Sequence, residues 1–286
     1  MRTTPTNQLF HFSRWQLLVG KHWVEHRRRY LLSLLAIGGL LAVYFGFFIV
    51  MDAYVPMDLF TQYAGYFVGL YFTGSLYASI LFADLGTKKE ALPWLSLPAS
   101  HFEKLLCALL FGTVFFYLAY NLVFYLVDIP MVQWADNIIR SHPRNFPYSN
   151  QQIPPVSLFN ILTAEGSPQP ERDYRIFTLG FFAIQSAFLL GSVYFRSYAF
   201  IKTVVAVILF IVAFIVFERG IIYPLLPKSW DNNVFHWTER PYNDEPPQNE
   251  VRLTPVLERT IIIITLYGLT PFFWFITYHR LKEKEV

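Results

Sequence analysis

Reactive groups are few in this chain, and the strongest spacing among them is His22-Trp23-Val24-Glu25-His26. Two histidines four residues apart on a helix share one face, the arrangement that offers two imidazoles to a zinc ion with a glutamate beside them. Arg27, Arg28 and Arg29 follow directly. Their charge raises the cost of holding a divalent cation, and no third ligand is identifiable. The plainer reading is a partly protonated histidine pair near anionic headgroups, so no metal site is expected. The single Gly-Lys pair, Gly20-Lys21, runs into His22 and lacks the glycine-rich loop that cradles phosphate, so the chain is not its own ATPase by that route. No nucleophile elbow, Cys-His cluster or carboxylate pair falls within the apolar stretches. Cys107 is the one cysteine, which rules out an intrachain disulfide. Glu218-Arg219 and Glu258-Arg259 stand at the ends of apolar runs, where each charge can pair locally or snorkel. An enzyme is therefore not expected, and neither is a proton-coupled transporter, whose midplane carboxylate is missing.

What positions these few groups is an apolar framework. The 286 residues are 54% hydrophobic, 19% aromatic and only 15% charged, with mean hydropathy +0.35, and the hydrophobic residues lie in long uninterrupted runs rather than at the spacing of a soluble amphipathic fold. A hydrocarbon core about 30 Å thick needs roughly 20 apolar residues in helix. Six runs qualify, at about 30–51, 59–82, 105–127, 176–195, 199–217 and 256–278. The expected fold is a single all-α membrane domain over residues 1–286, with six transmembrane helices, an N-terminal amphipathic interfacial helix and two long outer loops.

Charge sets the direction. With the N-terminus in the cytoplasm, residues 1–29, the loop 83–104, the turn 196–202 and the tail after Tyr278 carry 14 of the 23 Lys and Arg. Arg27, Arg28 and Arg29 precede the first run, and Arg280, Lys282 and Lys284 follow the last. Both clusters point inward under the positive-inside rule. The expected location is the cytoplasmic (inner) membrane of a bacterium, multi-pass, with both termini inside. The loops 128–175 and 218–255 then face outward. Proline pairs such as Pro154-Pro155 and Pro246-Pro247 argue against long regular helices in them.

Residues 10–25 cannot span, because Arg14, Lys21, His22 and Glu25 interrupt them. Phe12, Trp15, Val19 and Trp23 recur at intervals of three and four, which predicts a helix lying flat on the inner leaflet with Arg14, Lys21 and the Arg27-Arg28-Arg29 run toward headgroups. The alternative is a polar lead-in to the first span. In the second span Gly65 and Gly69 form a Gly-x-x-x-Gly, continued by Gly74 and Ala78, which lets another helix approach closely. Packing within one subunit and pairing of two copies are both open for it.

The inner loop reads Ala83-Asp84-Leu85-Gly86-Thr87-Lys88-Lys89-Glu90, then an apolar run with Trp94, then Leu97-Pro98-Ala99-Ser100-His101-Phe102-Glu103-Lys104. Ser100 followed three residues later by Glu103 is a capping box, predicting the start of the third helix there. Gly86-Thr87, Leu95, Leu97-Pro98-Ala99-Ser100 and Glu103-Lys104, with the preceding interfacial helix and the order of six spans, resemble the permease subunits of type-2 ATP-binding-cassette exporters. This loop carries Lys88-Lys89 where members often have leucines, and its outer loops are longer than in the simplest members.

The resemblance implies a separate ATPase subunit, with ATP and magnesium bound there and no cofactor in this chain. It also implies a second permease copy or homologue. Membrane lipid is the remaining partner, and no nucleic acid is expected. Asp84, Gly86, Lys88, Lys89, Glu90, Pro98, Ser100, Glu103 and Lys104 would form the loop that touches the ATPase, or else serve as ordinary solvated charges and inner-face anchors. The expected function is export of an amphipathic or hydrophobic substrate. The alternative is a non-transporting membrane scaffold or sensor that binds an envelope partner through its outer loops.

Overall fold

The computed structural model describes residues 10–51, 57–82, 99–141, 156–161, 170–195, 197–217 and 263–284, and these are almost wholly helical. α1 is Phe12–Met51, α2 Leu59–Ile80, α4 Pro170–Tyr194 and α5 Ala199–Phe217. α3 runs over His101–Leu109, a π-helical turn Leu110–Phe115 and Phe116–Ser141, while α6 covers Leu269–Lys284 after a π-helical turn at Ile264–Gly268.

α1 and α3 lie side by side and run in the same direction. His11 meets Glu103 at one end, Tyr30 stacks near Phe111, and Phe45 packs edge-on to Phe124 farther along. α2 runs the opposite way, since Leu81 lies against Gly112 and Tyr66 bonds Asn121. α4 is parallel to α2, joined to it by Tyr71 donating to the Phe177 carbonyl at 2.7 Å, and is tied to α3 by Gln185 donating to the Gly112 carbonyl at 2.5 Å. Thr203 of α5 fits against Gly191 of α4, and α6 ends with Arg280 over the Tyr194 ring at 5.0 Å.

Four of these helices are long and apolar enough to cross a membrane: α1, α3, Tyr174–Tyr194 within α4, and α5. α2 is helical where the second span was expected, but it carries Gln62, Thr61, Thr73, Ser75, Ser79 and several tyrosines. It turns much of that polarity inward: Gln62, Thr73, Ser75 and Ser79 are all buried. Residues 256–262 of the last expected span, and the pairs Glu218-Arg219 and Glu258-Arg259, lie outside the described residues.

Two expectations are corrected. The N-terminal helix is not a separate element lying flat, because α1 continues unbroken through Arg27, Arg28 and Arg29. No proline or glycine falls between Gly20 and Tyr30 to end it. At 1.5 Å per residue its 40 residues extend about 60 Å, twice the hydrocarbon thickness, so the helix is longer than one span needs, and residues 12–29 form an N-terminal stalk packed along the start of α3. The inward face is also rotated by one position from the expected one. Trp15, Leu18, Val19, His22 and His26 are half-buried against the rest of the chain, whereas Phe12 and Trp23 are exposed.

The second correction concerns the first outer loop. α3 does not end near Val127 but continues to Ser141 through Pro130. A proline inside a helix forfeits one backbone hydrogen bond. Burial of Val132, Ala135 and Ile139 along the same stripe offsets that loss.

Candidate functional site

The end of the bundle where α1 and α3 begin is built around one carboxylate. Ser100 caps α3 and Glu103 returns the favour: Glu103 N donates to Ser100 Oγ at 3.2 Å, and Ser100 N donates to Glu103 Oε2 at 2.9 Å. The capping box expected from sequence is therefore present. The same carboxylate then reaches across to α1. His11 N donates to Oε1 at 2.7 Å, and the Arg14 guanidinium grips both oxygens, Nη2 to Oε1 and Nε to Oε2, each at 2.8 Å. A planar guanidinium fork on a carboxylate fixes angle as well as distance. Phe10, Phe102 and Trp15 pack beside the clamp.

Burial works against ionisation of Glu103, but the hydrogen bonds from Arg14, His11 and Ser100 outweigh it and hold the carboxyl below its ordinary range. The hydrogen bond to Glu103 in turn raises the already high basicity of Arg14. Glu103 and Lys104 are both buried, and the Glu103 carboxylate is engaged with α1. Asp84, Gly86, Lys88, Lys89, Glu90 and Pro98 lie outside the described residues.

Farther along the stalk, Lys21 pairs with Glu25 at 3.7 Å on the surface, and Arg27, Arg28 and Arg29 are exposed. His22 and His26 stack at 4.4 Å between ring centroids, and His22 Nε2 lies 2.5 Å from the Tyr30 hydroxyl. Burial, assisted by the neighbouring His26, pushes the His22 imidazole down to about 4. It stays neutral at pH 7 rather than partly protonated as expected. Among the described residues no group of three or more His, Cys, Asp or Glu could hold a metal ion.

Gly65 and Gly69 serve packing within the chain. A methyl group at Gly65 would stand 2.6 Å from the Tyr44 ring, and one at Gly69 would overlap the Tyr120 hydroxyl. These contacts fasten α2 to α1 and α3.

Sequence reasoning missed the other end. Residues 156–161 form an irregular strap whose Phe159 is buried, its ring among Tyr63, Tyr66 and Phe124 at 5.6–6.0 Å. Gln62 of α2 pins this strap with both ends of its amide. It accepts from Phe159 N at 2.8 Å and donates to the Ser157 carbonyl at 3.0 Å. Ile161 N donates to the Tyr125 hydroxyl at 3.2 Å. One helical turn along α3, Asp128 is fully buried, and neither carboxylate oxygen has a hydrogen-bond partner among the described residues. This ionisable group inside the bundle had been assigned to a loop. The clue in the sequence was the apolar spacing continuing past it through Val132, Ala135 and Ile139.

No protein family, curated protein or solved structure matches the chain. The geometry offers a rigid clamp at one end of two long parallel helices, and a pinned strap over buried polar groups at the other.

Proposed function

We propose that this chain is the permease subunit of an ATP-driven transporter, crossing the cytoplasmic membrane six times with both termini inside and exporting an amphipathic or hydrophobic substrate. A separate ATPase subunit supplies the energy, and a second permease copy or homologue completes the pathway. The observation that carries the reading is the Arg14–Glu103 clamp. It sits where the inner loop feeds into α3 and joins that point to the stalk of α1. A push on residues 83–98 would therefore move α1 and α3 as a pair, because a bidentate ion pair resists the rotation that would separate them.

Support at the outer end is of the same kind. Alternating access needs a closure that can be released, and the strap is held by a small number of polar contacts instead of a continuous helix. The test is isolation of the full-length chain from its native membrane in mild detergent. The proposal predicts a stoichiometric companion that hydrolyses ATP; a chain that consistently comes away without one is not a permease subunit.

A further inference from the structure

Phe159 occupies a site that fits something else. Its ring lies in a box formed by Tyr63, Tyr66 and Phe124, yet it is delivered by a stretch with no regular backbone. Non-helical backbone buried among membrane helices is tolerated where it is enclosed by protein or lines a cavity, and here the polar groups of the strap are met by Gln62 and Tyr125. The ring fills the box as an intramolecular stopper.

The box has a polar neighbour. Tyr120, Phe124, Asp128 and Val132 recur every four residues on α3 and all are buried, so they share one face. Tyr120 donates to the Tyr66 carbonyl of α2 at 2.8 Å, and Phe124 meets both Tyr66 and Phe159. At Tyr120 and Phe124 that face meets α2 and the strap, with Phe45 of α1 also against Phe124, and Asp128 stands on its next turn, about 6 Å farther along the axis. Among the described residues both Asp128 oxygens lack a hydrogen-bond donor. A buried carboxylate with no partner is costly, and an ammonium group satisfies charge and hydrogen bonding together. Rings whose faces carry negative potential favour a cation beside them as well.

We infer that the Tyr63–Tyr66–Phe124 box and Asp128 together form a binding site for a lipophilic amine, an apolar body filling the space that Phe159 now holds and its ammonium paired with Asp128. This rests on the transport reading only in taking the bound molecule as cargo; the site itself requires no ATPase. It assigns the strap as an occupant that competes with ligand, so loosening the strap exposes the site.

The probes are 4-phenylbutylamine and 4-phenylbutan-1-ol, which share a phenyl group and a chain long enough to cover one helical turn but differ in charge. Binding is measured calorimetrically on the full chain in lipid nanodiscs, with empty nanodiscs subtracted. Gln62→Ala, which releases the strap without altering the box, should bind the amine at least about tenfold more tightly than the unaltered chain and well above the alcohol. Adding Asp128→Asn should reduce the amine to the level of the alcohol, again a loss of about tenfold or more. Phe159→Ala supplies an independent route to the open box should Gln62→Ala fold poorly, and thermal unfolding of each variant reports that directly. Equal binding of amine and alcohol in both opened variants overturns the inference, as does an amine preference that survives Asp128→Asn, or no binding at all. Failure here with an ATPase still co-purifying leaves the transport reading standing; amine binding with no ATPase would remove that reading and keep the site.

Discussion

Gln62→Ala isolates what holds the 156–161 strap. In the native chain the Gln62 amide is fully buried and makes three neutral hydrogen bonds, to Phe159 N at 2.8 Å, the Ser157 carbonyl at 3.0 Å and the Met57 carbonyl at 3.3 Å. The Met57 bond lies within the turn before α2 and does not hold the strap. The Ser157 bond contributes roughly 1 kcal/mol, and leaving the Phe159 N–H unsatisfied in a buried place costs about 1–3 kcal/mol. Taking the middle of these ranges, detachment becomes easier by about 3 kcal/mol, or roughly a hundredfold in the population of the detached strap. Amide hydrogen exchange followed by mass spectrometry in nanodiscs reads that population directly, because the Phe159 and Ile161 amides exchange only when released. Peptides covering 156–161 should exchange about a hundredfold faster in Gln62→Ala, while peptides from α4 are unchanged. Tyr125→Phe removes only the acceptor of Ile161 N, and should speed exchange by less than Gln62→Ala does. Unchanged exchange in Gln62→Ala would show that apolar burial of Phe159 alone holds the strap and that its polar pins are incidental.

Acid should weaken the Arg14–Glu103 clamp. Glu103 is held below its ordinary range when folded, so the unfolded chain binds the proton more readily. The clamp's contribution is complete above about pH 4.3, the ordinary glutamate value, and is lost as pH falls through the lower folded value. Thermal unfolding of Glu103→Gln should lack that part of the acid decline. His22, pushed down to about 4, acts in a neighbouring window. Its contribution is full above about pH 6.5 and falls away between there and pH 4, so His22→Asn should flatten the unfolding-temperature profile over that interval. At the packing level, a methyl group at Gly191 would overlap the Thr203 side chain. Gly191→Ala should therefore destabilise by about 1–3 kcal/mol in thermal unfolding, with Thr203→Ala in the same chain recovering part of it.

How much of this was legible in the sequence depended on whether local rules decided the outcome. Ser100 and Glu103 announced the start of α3, because a capping box is satisfied within four residues. The apolar runs announced helices for the same reason, since hydropathy is a property of the segment alone. Arg14 was readable as a charge near the inner face, but its partner 89 residues away was not. Only folding brings the stalk against the head of α3. The rotation of the stalk face had a similar cause: His22 was classed as polar, yet its ring sits against Phe111 and Tyr30, where an aromatic body outweighs the ring nitrogens. Asp128 was concealed by Pro130, which suggested a loop where tertiary burial kept the helix intact. The strap lay in a stretch dense in turn-formers, and nothing local distinguishes a pinned segment from any other loop.

The most direct test of the account is ATP hydrolysis by the complex isolated from native membranes, comparing the unaltered chain with a Lys88→Glu, Lys89→Glu chain. If the inner loop is where a motor pushes, the unaltered complex hydrolyses ATP, and charge reversal abolishes the stimulation that the permease gives its ATPase while the chain keeps its thermal unfolding profile. An ATPase stimulated equally by both chains, or none associated with either, would contradict it.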